Sequence, residues 1–245
     1  MRKDRIILSV EEISSRRTKD KDKIHKIKNV LRKRPADYIY LLDGCGKEYR
    51  AKIQRSTASI MEFDIEDVEK AEKQTTSRIV LGFSLLKFAK IDFVLQKCTE
   101  LGIDEFVPFI SRYSVAKQPG MSKIQHWRRK IEEAVCQSGR LFIPKFNSIL
   151  KFSRLVQGLE RFGLVLVGSQ DSDADIFQIL TQVKNKRFGN VLLLVGPEGG
   201  FSKEEARQLK SCQNVNFVNL SNFTLRSETA AMFFSGVACY LLRRG

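Results

Sequence analysis

The chain has 245 residues and a formal charge of +15, with 43 Lys and Arg against 28 Asp and Glu. Hydrophobic residues make up 42 % and charged residues 29 %, which suffices for a core and argues against wholesale disorder. The length allows one large domain or two modest ones, and no apolar run approaches the ~20 residues of a membrane helix. The start, Met1-Arg-Lys-Asp-Arg-Ile-Ile-Leu, lacks the apolar stretch of a secretory leader.

An isoelectric point near 9.7 favours polyanionic partners, because each Lys or Arg set against a phosphate releases a counterion. Nucleic acid is the leading partner and an anionic membrane surface the second. Cys45, Cys98, Cys136, Cys212 and Cys239 are widely spaced, without a CxxC, and His25 and His126 are the only histidines. That pattern predicts neither a metal site nor a disulfide framework, and it fits a reducing cytoplasm.

The first 35 residues carry 13 Lys/Arg against 5 Asp/Glu. Short strands are predicted at Tyr38–Leu42, Tyr49–Ile53 and Ser59–Phe63, with Asp43-Gly-Cys-Gly46 as a hairpin turn. Closely spaced strands suggest a small barrel or sandwich. Residues 64–76 are charged, lack apolar periodicity and read as a linker. From about residue 77 the pattern turns to alternating strands and helices. Strands are predicted at Arg78–Phe83, Phe106–Ile110, Leu164–Val167, Val191–Val195 and Val215–Leu220. The continuous apolar runs among them are those of buried parallel strands. One helix is predicted over Lys90–Leu101, with Ile91, Val94, Leu95, Cys98 and Leu101 on one face and Gly102 at its end. A second spans Lys123–Ser138, with Ile124, Trp127, Ile131, Ala134 and Val135 inward. Ser202-Lys-Glu-Glu205 has capping-box spacing and opens another. The last runs from Ser227 to Arg243.

Two stretches concentrate chemistry. Val191-Leu-Leu-Leu-Val-Gly-Pro-Glu-Gly-Gly-Phe-Ser-Lys-Glu-Glu205 runs from a buried strand through a glycine-rich turn into a helix. In an open α/β sheet, ligands bind beyond the carboxyl ends of strands. The spacing matches neither a Rossmann fingerprint nor a P-loop, and an ordinary tight turn is the alternative. Asn219-Leu-Ser-Asn-Phe-Thr-Leu-Arg-Ser-Glu-Thr-Ala-Ala231 repeats the strand–loop–helix arrangement and crowds polar groups before an apolar helix. Glu228 reads there either as a functional carboxylate or as a helix cap. Neither histidine has a catalytic setting: His25 lies among lysines, and His126 sits beside Trp127 on an amphipathic helix.

Leu193-Leu-Val-Gly-Pro-Glu-Gly-Gly-Phe-Ser202 and Leu225-Arg-Ser-Glu-Thr-Ala230 resemble the two C-terminal signatures of the RsmE family, SPOUT-class methyltransferases of small-subunit ribosomal RNA. Lys87-Phe-Ala-Lys-Ile-Asp92 and Gln96-Lys-Cys-Thr-Glu-Leu-Gly102 are similar to the family's K-x-x-K-[MI]-[DE] and Q-K-x-x-E-L-G. Gln137-Ser-Gly-Arg140 with Pro144 resembles Q-S-G-R-x-x-x-P, and His25 with Val30-Leu-Arg32 resembles H-x-x-x-V-L-R, Asp43-Gly44 following. The matches occur in order along nearly the whole chain. Two stretches depart: Leu220-Ser-Asn-Phe-Thr-Leu225 where the family has an early glycine, and Phe88-Ala89 where Gly-Asp is usual.

The resemblance implies a PUA-like β-barrel that binds RNA over residues 1–73. It implies a SPOUT-type α/β methyltransferase domain over 74–245, with a C-terminal trefoil knot holding S-adenosylmethionine. It further implies a homodimer, cytoplasmic, without metal, that methylates N3 of a uridine in 16S ribosomal RNA of the small subunit. The cofactor residues are then Val167, Leu194, Gly196, Glu198, Gly200, Leu220, Leu225 and Thr229. Arg226 stabilises the anion that develops on the base, and Glu228 manages the N3 proton. Arg2, Arg5, Arg16, Arg17, Arg32, Lys87, Lys90 and Arg140 are candidate RNA contacts. A SPOUT enzyme acting on another base or on a ribose 2′-hydroxyl is one rival, and a non-enzymatic RNA-binding or ribosome-assembly protein is another.

Overall fold

The computed structural model describes residues 3–71, 77–116, 118–183, 186 and 188–243. It divides into two compact units, Met1–Gln74 with Glu132–Ile143 and Thr75–Ile131 with Pro144–Gly245.

The first unit contains β1 (Arg5–Ile7), α1 (Val10–Ser14), β2 (Arg17–Thr18) and α2 (Lys21–His25), which runs into a π-helical turn at Lys26–Val30. Then come β3 (Tyr38–Leu42), β4 (Lys47–Ser56) and β5 (Met61–Lys70). They form one mixed sheet in the order β1-β3-β4-β5-β2, with β1 parallel to β3 and the other pairings antiparallel. Ser9 and Glu12 form a capping box on α1, and Asp20 caps α2. Ile6, Leu8, Ile27, Ile39, Leu41 and Ile53 are buried at the centre. In the β3–β4 turn, Asp43 Oδ1 accepts from the backbone N–H of Cys45 (2.8 Å) and of Lys47 (3.0 Å). Gly44 and Gly46 hold φ of 71° and 114°, where an L side chain is strained.

Two expectations change here. Residues 64–70 are strand, not linker, and residues 72–76 lie outside the described set. The outer part of β5 carries no apolar alternation because it is exposed. Its pairing with β4 instead sets Lys52 opposite Asp64 and Arg50 opposite Asp67, and opposite charges across strands support a ladder. Residues 132–143 also belong with the first unit rather than with the rest of 74–245. Gly46 donates to the Leu141 carbonyl and Ile143 to that of Gly44, each at 3.0 Å.

The second unit runs β6 (Arg78–Ser84), α3 (Phe88–Leu101), β7 (Glu105–Ile110), α4 (Met121–Ser138, ending in the first unit), β8 (Lys145–Phe146) and β9 (Leu150–Lys151). It continues through α5 (Phe152–Gln157), β10 (Leu164–Gly168), α6 (Ile176–Val183), β11 (Asn190–Val195), α7 (Lys203–Lys210), β12 (Val215–Val218) and α8 (Ser227–Arg243). Its seven strands are ordered β12-β10-β11-β6-β7-β8, with β9 also on β7, and every pairing is parallel. The core strands are buried along nearly their whole length, which explains their unbroken apolar runs.

Helix α3 ends at Gly102 with φ 112° and buries Ile91, Val94, Leu95 and Cys98, but Leu101 is 41 % exposed. Asp92 pins α3 to α4. It accepts from Trp127 Nε1 (2.9 Å) and Lys123 Nζ (3.2 Å), and His126 Nε2 lies 2.9 Å away. Burial opposes the charge on Asp92, yet His126 and Lys123 outweigh it and hold the carboxyl below its ordinary range. His126 takes part in this contact between helices, and exposed His25 meets Asn29 at 2.8 Å.

Candidate active site

Three parallel strands, β10, β11 and β12, end on the same side, and the loops after them enclose a cavity of about 410 Å³. Gly168–Asp171 follows β10, Gly196–Phe201 follows β11, and Asn219–Leu225 follows β12. This is where an open parallel sheet binds ligands. Gly200 takes φ 69°, and a Cβ built on it would meet nothing within 4 Å, so the loop borders open space there. Phe201 anchors the same loop by stacking on Phe109, with centroids 6.1 Å apart and planes 8° from parallel. A Cβ on Gly196 would approach the Phe201 ring to 3.1 Å. Ser202 and Glu205 complete the predicted capping box, and Glu205 Oε1 also accepts from Arg112 N at 2.8 Å.

The loop after β12 needs no glycine. None of residues 220–225 has positive φ. Ser221 N donates to Asn219 Oδ1 (3.0 Å), and Phe223 N donates to Ser221 Oγ (3.1 Å). Short polar side chains thus set the turn. The other departure, Phe88, packs edge-on against Trp127 at 5.8 Å.

A charged cluster adjoins the glycine loop. Lys90 Nζ donates to Glu198 Oε1 at 2.5 Å and lies 3.3 Å from Glu228 Oε2. Hydrogen bonding to Glu198 is the main reason the Lys90 ammonium is held above its ordinary value. Lys90, then the charges of Lys87 and Arg226, hold the Glu198 carboxyl below its own. Glu228 Oε2 is buried and makes no hydrogen bond among the described residues. Glu228 lies in the first turn of α8, with its Oε2 directed at Lys90 Nζ.

Of the residues singled out from sequence, Gly196, Glu198, Gly200, Leu220 and Leu225 line the cavity. Val167 and Leu194 do not: their side chains are fully buried in the sheet, and the residues after them, Gly168 and Val195, form the wall. Thr229 lines an adjacent cavity on the far side of the 219–225 loop. Arg226 is exposed. Lys87 is exposed at the start of α3, whereas Lys90 is engaged by its two carboxylates. Arg16, Arg17 and Arg32 are exposed, Arg140 is half-buried, and Arg2 lies outside the described residues. Arg5 is committed to Glu48, Nε to Oε2 at 2.6 Å, rather than presented to a ligand. Sequence reasoning missed Ser169, Gln170, Asp171 and Phe217 on the cavity wall. The glycine that follows the apolar run Leu164–Val167 was the available signal.

This glycine-lined crevice with a paired-charge cluster, at the ends of three parallel strands, is the ligand site of an α/β protein with a parallel sheet. A family profile described as RNA methyltransferase domain matches residues 72–238, and the chain belongs to that family. It is similar to "Ribosomal RNA small subunit methyltransferase E" of Bacillus subtilis, 27 % identical over 225 residues, 89 % of this chain and 88 % of that one. Borreliella burgdorferi "Ribosomal RNA small subunit methyltransferase E 2" is 29 % identical over 227 residues, 88 % of this chain and 87 % of its own length. A crystal structure of ribosomal RNA small subunit methyltransferase E from Neisseria gonorrhoeae, bound to S-adenosylmethionine, superposes with TM-score 0.85 at 26 % identity and covers 98 % of both chains. A putative methyltransferase of Legionella pneumophila, at 24 % identity and TM-score 0.86 over 97 % of both chains, shares the fold.

Proposed function

We propose that this protein transfers a methyl group from S-adenosylmethionine to N3 of a specific uridine in the 16S ribosomal RNA of the small subunit. The observation that carries this reading is the cluster of Lys90, Glu198 and Glu228 beside a cofactor-sized crevice at the ends of three parallel strands. A volume near 410 Å³ lies in the range of small-ligand sites. Its wall joins bare glycine backbone, apolar Phe217, Leu220 and Leu225, and the polar Ser169, Gln170 and Asp171. These groups suit a molecule with a purine at one end and an amino acid at the other. S-adenosylmethionine supplies a methyl group already activated by its sulfonium.

The chain's own task is positioning and proton management. Uridine N3 carries a proton and is a poor nucleophile until it is lost. Glu228 accepts that proton at its carboxylate, which Lys90 pairs at 3.3 Å. Arg226 stabilises the charge that spreads onto the uracil carbonyl oxygens. Gly196, Gly200, Leu220 and Leu225 frame the cofactor. Exposed Arg16, Arg17 and Arg32 support an RNA-binding role for the first unit, as a PUA-like β-barrel. Insertion of β11 between β6 and β10 supports a trefoil-knotted second domain. Exposed Phe93 and Leu101 on α3, and Phe233 and Tyr240 on α8, support a homodimer. A small ribosomal subunit as substrate supports a cytoplasmic enzyme.

The test incubates purified protein with labelled S-adenosylmethionine and small ribosomal subunits from cells lacking this activity. Label in N3-methyluridine is the expected result. Label in another nucleoside discards the assigned base, and neither label nor cofactor binding favours an assembly protein.

A further inference from the structure

Lys90 belongs by sequence with the RNA contacts, but its surroundings point elsewhere. A lysine that meets phosphate presents its ammonium to solvent. Lys90 instead directs its ammonium at two carboxylates, and 24 % of its side chain remains exposed. Glu198 comes from the loop after β11 and Glu228 from the first turn of α8. Three segments of the site therefore meet at one nitrogen.

We propose that Lys90 is a positioning residue for the methyl transfer: anchored by Glu198, its ammonium holds the Glu228 carboxylate in place and keeps a counter-ion when Glu228 takes up a proton. This inference rests on the function proposed above. The contacts divide the two duties. Glu198 Oε1 makes the shorter contact with the ammonium, at 2.5 Å, and Glu228 Oε2 the longer, at 3.3 Å. The tighter carboxylate anchors the lysine, and the looser one is the one whose charge changes in the step.

The charge balance explains why two carboxylates are present. Before reaction, one ammonium faces two anions. In the step, the N3–H bond breaks, its electron pair stays on nitrogen, and a new O–H bond forms on Glu228. Lys90 then still faces Glu198. With Glu228 as its sole partner, the same proton would leave a half-buried ammonium uncompensated, which is costly. Lys90 is itself held steady. Two residues on, Asp92 ties α3 to Trp127 and Lys123 of α4, and Phe88 lies against Trp127.

The experiment compares Lys90→Met, Lys90→Arg and Glu198→Gln with the parent protein, using small ribosomal subunits and labelled S-adenosylmethionine. It measures kcat, the Kd for each ligand, and the salt dependence of RNA binding. Lys90→Met is expected to lower kcat by about 10²-fold, with both affinities and the salt slope unchanged. Lys90→Arg, whose fork reaches both carboxylates, recovers most of the loss. Glu198→Gln lowers kcat while leaving thermal stability intact, which separates positioning from misfolding. An unchanged kcat in Lys90→Met, with weaker RNA binding and a salt slope reduced by about 1, would overturn the inference and restore Lys90 as a phosphate contact. An unchanged kcat in Glu198→Gln would also overturn it. A parent protein that binds cofactor but labels no RNA would sink the proposed function itself.

Discussion

The seven-stranded sheet is buried through its core strands, while much of the β4–β5 ribbon of the five-stranded sheet faces solvent. The use of charge differs in the same way. In the second unit the Lys90 ammonium is directed at two carboxylates beside a cavity. In the first unit, Arg16 and Arg32 stand exposed on backbone of φ 54° and 56°. Paired charge suits a reaction, where a group must not move. Exposed charge suits affinity for a long polyanion. Substitutions in the second unit should therefore change rate, and those on the first should change binding and stability.

The largest expected effect separates those roles at Arg226. Arg226→Ala should reduce turnover by about 10²–10³-fold, the scale of losing one donor to a developing anion. Cofactor binding should remain, because cavity contacts come from the loops on either side of this residue. Single-turnover assays with saturating cofactor measure the first, and calorimetric titration the second. Loss of binding with normal turnover at saturation would move Arg226 from the reacting base to the cofactor.

The same contrast decides what could be read from sequence. Strands β6, β7, β10 and β11 were legible because burial on both faces leaves continuous apolar runs, as in Val191–Val195. The glycine loop was legible because Gly196, Pro197, Gly199 and Gly200 interrupt such a run. The outer half of β5 was not, because it is exposed and carries charged rather than alternating apolar residues, and its backbone ladder to β4 leaves no apolar signal. Five-residue α1 and six-residue α5 were missed since so short a segment shows no helical period. The site was legible as a list of residues but not as a set of contacts. Glu198, Glu228 and Lys90 lie far apart in sequence, and only the fold brings Lys90 to the other two. The side chains of Val167 and Leu194 are buried in the sheet, and the next residues, Gly168 and Val195, line the cavity.

A smaller effect should appear in acid, and it should fall on the first unit. Burial of Glu48 opposes its charge, but hydrogen bonds and charges from Lys3 and Arg5 outweigh that and hold its carboxyl below the ordinary value. A carboxylate depressed in this way stabilises the fold above its unfolded pKa of about 4.3. That contribution is lost as pH falls through the lower folded value. Glu48→Gln should cost about 3 kcal/mol at neutral pH, because it removes the carboxylate that pairs both Arg5 and Lys3 in a mostly buried setting. Below pH 4 the gap between the two proteins should narrow. Denaturant unfolding from pH 7 downward checks this, and parallel pH curves for the two proteins would remove Glu48 as the source.

The smallest effect is the sharpest test of the arginine-bearing turns. Arg32 follows the π-helical turn and holds left-handed backbone, while the next residue, Lys33, donates back to the Ile27 carbonyl at 3.0 Å. A helix end of this kind ordinarily takes glycine. A non-glycine residue there costs about 1–2 kcal/mol, and glycine returns about 0.5–1 of that as unfolded-chain entropy. Arg32→Gly should therefore raise stability by about 0.5–1 kcal/mol, although it removes a charge and side-chain contacts. If the exposed guanidinium meets phosphate, the same change should weaken RNA binding and lower the salt slope by about 1. Turnover at saturating RNA should not move, because Arg32 and the Lys90 cluster belong to different compact units. A protein more stable yet weaker for RNA would show backbone strain kept for binding. A more stable protein with unaltered RNA affinity would leave that strain without a function and shift the RNA surface to Arg16 and Arg17.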